Sequence, residues 1–233
     1  MQTFRLSNLT FIAFSLLFML FSNSSFAAEP SKAQIKSLSI MEKHSIAIID
    51  TLMAKDLKQS RFHYRKLRKQ IKELQLAAAL PPKNEKFSRE LMLAYSLIRI
   101  INIEIKNGIW IEGAIAANQL SGLIIQNSHF PTFMKRDLKW LDFQGREIKL
   151  LLLEDPVANA DLLGLRKTIM ENSWIRVRNE LIQSFKNKPL VLQGNELIAI
   201  INASKDPRKT ADATIQWTAF VNSLEGKMSI PIK

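Results

Sequence analysis

Apolar residues recur along this chain at steps of three and four positions, which is the spacing of one face of an α-helix. Between about 32 and 54, for example, Ile35, Leu38, Ile49 and Leu52 follow this spacing. No convincing series of alternating apolar and polar residues bounded by turn residues is present, so strands are not expected. The pattern predicts an all-α protein.

Four breaks divide the helical pattern. Asp56, Asn107, Asp155 and Asp206 each follow an Ile/Leu-rich run, at intervals of 51, 48 and 51 residues. Asp or Asn there can cap the next helix, and the prolines that follow Asp155 and Asp206 suit a first helical position. We expect about four antiparallel helical hairpins, forming a bundle or a short helical-repeat array, over approximately 32–78, 87–128, 133–187 and 192–225. The even spacing fits internal duplication and fits helices of similar length equally well.

The N-terminal residues have the three-part layout of a secretory signal peptide. Arg5 precedes an apolar core of about 13 residues, and small residues at Ser25 and Ala27 suit cleavage. The alternative is an uncleaved anchor, but about 20 apolar residues are needed to span a bilayer. We expect a signal peptide at 1–27 and one all-helical domain at 28–233, with no transmembrane segment. The protein is then exported: periplasmic if the host has an outer membrane, and otherwise secreted.

The cysteine content excludes several kinds of chemistry, and the net charge favours one class of partner. The chain has a formal charge of +12 and no cysteine, which excludes disulfides, Fe–S clusters and thiol catalysis. Arg5 is the only charge in 1–27, so the remainder keeps +11. Such a surplus favours anionic partners, among them lipid headgroups and acidic protein faces.

The second predicted helix concentrates this charge. Leu57, Tyr64 and Ile71 lie seven apart and form an inward seam, which leaves the basic residues for solvent. The predicted partner-binding residues are Lys58, Arg61, Arg65, Lys66, Arg68, Lys69 and Lys72. A basic helix can dock an anionic protein or envelope component, can lie on a membrane, or can be an ordinary solvated face. Nucleic acid is not expected as a partner, because only Phe62 and Tyr64 are available there for base stacking.

Two further segments contain candidate ligand-binding residues. Met41 and His44 are one turn apart and are candidate ligands for copper(I), although histidines and methionines are more often surface and core residues. His63 would lie near His44 across the Asp56 break, with a height difference of about 7 Å at ~1.5 Å per residue.

The segment from 110 to 122 has small residues at four-residue spacing. Such spacing lets another helix approach closely, or it leaves a groove for a ligand. The candidate pocket residues are Trp110, Glu112, Asn118 and Gln119.

No catalytic motif is recognisable, no catalytic residue is assigned and no cofactor is expected. The pattern favours an exported, non-enzymatic helical binding protein that docks an anionic partner through the basic helix. The alternative is a periplasmic protein that binds a small ligand or a metal ion inside the helical bundle.

Overall fold

The computed structural model describes residues 32–78 and 85–228, which form eight α-helices and no strand. In chain order they are α1 (Lys32–Met53), α2 (Leu57–Ala78), α3 (Glu85–Asn107), α4 (Trp110–Asn127), α5 (Phe133–Glu154), α6 (Ala160–Gln183), α7 (Lys188–Ala203) and α8 (Pro207–Met228). The prediction of an all-α protein built from four helical hairpins is confirmed. The predicted signal peptide lies outside the described residues.

The eight helices pack as two four-helix units. In the first unit α1 contacts α2 and α4, and α3 contacts the same two helices. In the second unit α5 contacts α6 and α8, and α7 contacts the same two helices. Each unit encloses its own apolar cluster, and the contact between α4 and α5 joins the two units.

The buried positions of the first unit recur in the second. Six buried pairs have the same residue type and lie 100 residues apart. They are Leu38 and Leu138, Ile48 and Ile148, Leu52 and Leu152, Leu97 and Leu197, Ile98 and Ile198, and Ile101 and Ile201. The repeating unit of this structure is therefore a pair of hairpins rather than a single one.

The turns between helices only partly follow the predicted capping. The side chain of Asp56 accepts a hydrogen bond from the Gln59 amide (3.0 Å), and that of Asp206 accepts one from Arg208 (2.9 Å), so both act as predicted. Pro207 is the first residue of α8, but Pro156 is not helical, because Asp155 accepts from Val157 and Ala158 and closes a local turn instead.

Directly after Asn107, Gly108 adopts a left-handed backbone conformation with a φ of 70°. Asn107 itself does not cap α4, whose preceding residue, Ile109, makes no side-chain cap. Among the described helices, none combines the length and apolar character needed to cross a membrane.

Candidate functional site

All seven predicted partner-binding residues of α2 are exposed. Leu67, Ile71 and Leu74 turn into the core of the first unit, while Leu57 and Tyr64 pack against it as half-buried residues. The seam thus faces inward as its spacing predicted. Because α2 also contains a single carboxylate, Glu73, its solvent side is strongly cationic.

Only one of these cations forms an ion pair with another described residue. Lys69 Nζ lies 3.8 Å from Glu73 Oε1, at a well-exposed position where such pairs contribute little. Lys66 Nζ lies 5.4 Å from the centre of the Phe62 ring. The basic face is therefore left almost unneutralised by the described part of the chain.

Two apolar side chains are exposed among these charges. Phe62 is 41% exposed and Leu76 is 73% exposed. They belong to a stripe whose members follow one another at steps of four, three, four, three and four residues: Lys58, Phe62, Arg65, Lys69, Lys72 and Leu76. This spacing keeps the stripe on one side of the helix over about 27 Å. We call it the α2 stripe.

His44 and His63 meet across the α1–α2 hairpin. Their Nδ1 atoms are 3.0 Å apart and their ring centres 5.2 Å apart. The heights estimated from the sequence made this pair look poorly placed, but the imidazole side chains bridge the gap between the two helices. Met41, by contrast, is buried in the core of the first unit and takes no part in this pair.

The histidine pair is held mainly in its neutral form. Burial lowers the pKa of His44 below its ordinary value of 6.5, and the charges of His63, Lys43 and Lys66 lower it further. The pKa of His63 is also lowered, first by burial and then by Lys43. Both rings can consequently act as uncharged nitrogen ligands at neutral pH.

The four candidate pocket residues face different neighbours along α4. Trp110 packs partly buried against the first core, and Glu112 acts on Glu104, whose pKa is raised first by burial and then by the Glu112 charge. Asn118 and Gln119 are buried where α4 meets α5. Their small neighbours therefore serve helix packing, and the amides are bonded within that contact.

Arg146 is the centre of a buried polar network between the two units. Its Nε donates to Asn118 Oδ1 (3.1 Å), its Nη2 donates to Ser121 Oγ (3.3 Å), and its Nη1 bonds Asp142. Asn118 in turn donates to the Phe143 carbonyl (3.3 Å). Asp142 and Arg146 have the four-residue spacing of an ordinary helix ion pair, and the packing of α4 buries them.

A second buried ion pair adjoins this network. Arg166 Nε lies 3.1 Å from Glu147 Oε2, at an angle that makes an ion pair without a direct hydrogen bond. Gln119 Nε2 donates to the other oxygen of Glu147 (2.6 Å). Burial raises the pKa of Glu147, while Arg166 and Gln119 oppose this shift. Since these groups bond one another, the network joins helices rather than presenting a reactive group.

A cleft of about 560 Å³ lies between α6 and α7. Trp174 Nε1 donates to Asn195 Oδ1 (2.9 Å), and Asn202 Nδ2 donates to Glu171 Oε2 (2.8 Å). These polar groups of the lining thus satisfy one another across the cleft. This cleft could not be predicted from the sequence, because it depends on how α6 and α7 pack against each other.

Within the described ranges, no three His, Asp or Glu side chains cluster closely enough to hold a metal ion between them. No protein-family model, curated protein or solved structure matches this chain significantly. Its function is therefore argued from its own geometry.

Proposed function

We propose that this protein is an exported helical binding protein whose α2 stripe docks on an anionic lipid surface of the cell envelope. The observation that carries the proposal is the fully exposed basic face of α2, which has seven cations and a single carboxylate. Export is inferred from the signal-peptide pattern of 1–27.

The apolar members of the stripe favour lipid over an acidic protein or polymer. Phe62 and Leu76 lie near the two ends of the stripe, with Arg65, Lys69 and Lys72 between them. On an anionic bilayer the cations can contact headgroups while the two apolar side chains enter the acyl boundary. Leu57, Tyr64, Leu67, Ile71 and Leu74 pack in or against the core instead, so the contact is peripheral.

The strength of this contact depends mostly on charge. A basic residue close to an anionic membrane contributes about 1 kcal/mol, and this contribution fades beyond the Debye length of about 10 Å at 0.1 M salt. Several such residues give a reversible association on the order of micromolar to tens of micromolar. Binding should therefore weaken steeply as salt is added.

Vesicle co-sedimentation tests the charge requirement. The protein is expected to bind vesicles that contain phosphatidylglycerol and not to bind neutral phosphatidylcholine vesicles. It should dissociate from the anionic vesicles as NaCl rises from about 0.1 M to about 0.5 M. The charge-reversal variant K58E/R65E/K69E should lose binding. A matched control, K205E/R208E/K209E, changes the same number of exposed cations in the second unit and should keep it.

A second pair of variants tests the apolar members. F62S and L76S should each weaken binding to anionic vesicles, whereas M92S removes a side chain of similar exposure (68%) from α3 and should not. If K58E/R65E/K69E binds these vesicles as well as the unmodified protein, the proposal is wrong. If the protein binds no vesicles but captures an acidic protein in a salt-sensitive way, the partner is an acidic protein and not lipid.

A further inference from the structure

The His44 and His63 side chains bring two imidazole nitrogens close together. Their Nδ1 atoms are 3.0 Å apart, with one ring on α1 and the other on α2. Both side chains are only partly buried, so an ion can reach them from solvent. Because α1 and α2 pack against each other as one hairpin, the fold keeps the two histidines near each other.

This spacing matches one coordination geometry better than another. Imidazole nitrogens bind divalent transition metals at about 2.0–2.1 Å. Two such nitrogens lie about 2.9 Å apart when they occupy adjacent corners of a square, and about 3.4 Å apart in a tetrahedron. If both atoms bound one metal without moving, the 3.0 Å separation would give a ligand–metal–ligand angle close to a right angle, as in square-planar Cu(II) complexes.

We propose that His44 and His63 form a two-imidazole site for Cu(II), bound through both Nδ1 atoms. The remaining positions on the metal are filled by water. Cu(II) is favoured over Zn(II) by the angle and by its higher general affinity for nitrogen ligands. Neither histidine belongs to the α2 stripe, but the ring of its member Phe62 contacts the His63 ring, with centres 5.1 Å apart.

Binding requires both Nδ1 lone pairs. Without metal, a 3.0 Å contact between two neutral rings is an N–H···N hydrogen bond in which one Nδ1 carries a proton. When the metal binds, that ring changes tautomer and carries its proton on Nε2. The copper stays Cu(II) and nothing is oxidised. Below the lowered pKa values of the two rings, protons compete with the metal.

Two nearby cations repel a metal ion at this site. Lys43 and Lys66 are the charged groups that act on the pair, Lys66 on His44 and Lys43 on both rings. With two protein ligands and this repulsion, we expect a dissociation constant on the order of micromolar rather than nanomolar. Removal of one cation should tighten binding by about two- to fivefold.

Titration of Cu(II) into the tag-free protein, followed by electron paramagnetic resonance, tests the proposal. One bound Cu(II) per chain with hyperfine coupling to nitrogen is expected. H44A and H63A should each weaken binding by about tenfold or more. H129A, which removes the remaining histidine of the chain, is the matched control and should bind as tightly as the unmodified protein.

K66Q keeps both histidine ligands, so it tests the site even if the alanine variants do not fold. K66Q should bind Cu(II) more tightly, and circular dichroism should show the same helicity in all five proteins. The proposal is overturned if H44A or H63A binds Cu(II) with unchanged affinity while folded, or if H129A weakens binding as much as they do. Absence of nitrogen coupling in the unmodified protein would also overturn it.

Discussion

The indole of Trp174 lies directly over Gly194, so closely that a Cβ atom on residue 194 would be 2.1 Å from the ring. This contact brings α6 and α7 together beside the cleft. Trp174 also packs edge-on against Trp217, with ring centres 5.5 Å apart. The absence of a side chain at Gly194 thus positions the aromatic cluster of the second unit.

G194A should therefore destabilise the protein. The added methyl group forces the indole or the helix to shift, and overpacking of this kind costs about 1–3 kcal/mol. The free energy of unfolding in urea measures the loss. G164A is the matched control: nothing lies within 4 Å of its added Cβ, so a helical alanine should stabilise by about 0.5–1 kcal/mol. Equal stability of the two variants would contradict this account.

Removal of the Arg146 charge should be more damaging. R146M leaves the buried carboxylate of Asp142 without its cation and Asn118 without a donor. Loss of one partner of a buried ion pair costs about 3–5 kcal/mol. Urea unfolding should show this loss, whereas R99M, at an exposed position of α3, should stay within about 0.5 kcal/mol of the unmodified protein. A small effect of R146M would mean that Asp142 reaches solvent.

The sequence predicts those features of the fold that depend on neighbours along one helix. The α2 seam is an example, because Leu57, Tyr64 and Ile71 repeat at heptad spacing whatever helix covers them. Asp56 and Asp206 are similar, since a cap needs only the amides two or three residues further on.

Features that depend on the packing of different helices could not be predicted in the same way. The burial of Arg146 is determined by α4, which lies 25–28 residues away along the chain. The contact of His44 with His63 depends on how α1 and α2 rotate against each other, which residue counting does not give. Trp174 likewise meets Gly194 only because α7 returns along α6.

Glu104 should make stability depend on pH. Burial and the neighbouring Glu112 raise its pKa above 4.5, and its Oε2 is buried without a hydrogen bond in the described structure. In the window between 4.5 and the raised pKa the folded state binds more protons than the unfolded state, so stability falls as pH rises through it. E104Q removes the charge and should stabilise the protein at pH 7 by about 0.2–1 kcal/mol, as for a solvent-screened pair.

Urea unfolding of E104Q at several pH values tests this reasoning. The gain should disappear as the pH falls below about 4.5, where the carboxyl is protonated in both states. E112Q removes the repulsion from the other side and should reproduce part of the effect. A stabilisation of E104Q that is equal at pH 4 and pH 7 would show that charge is not its cause.

The last prediction concerns the titration of His44. Its pKa is lowered first by burial and next by the His63 charge, so H63Q should raise it toward 6.5 without reaching that value. Nuclear magnetic resonance of the His44 ring protons against pH measures the midpoint. Because the lowered pKa means that the unfolded state takes up protons first, stability falls as pH drops through 6.5, and H63Q should reduce this loss. K66Q, which removes a weaker contribution, should shift the midpoint in the same direction by less. An unchanged His44 midpoint in H63Q would mean that the two rings do not interact in solution.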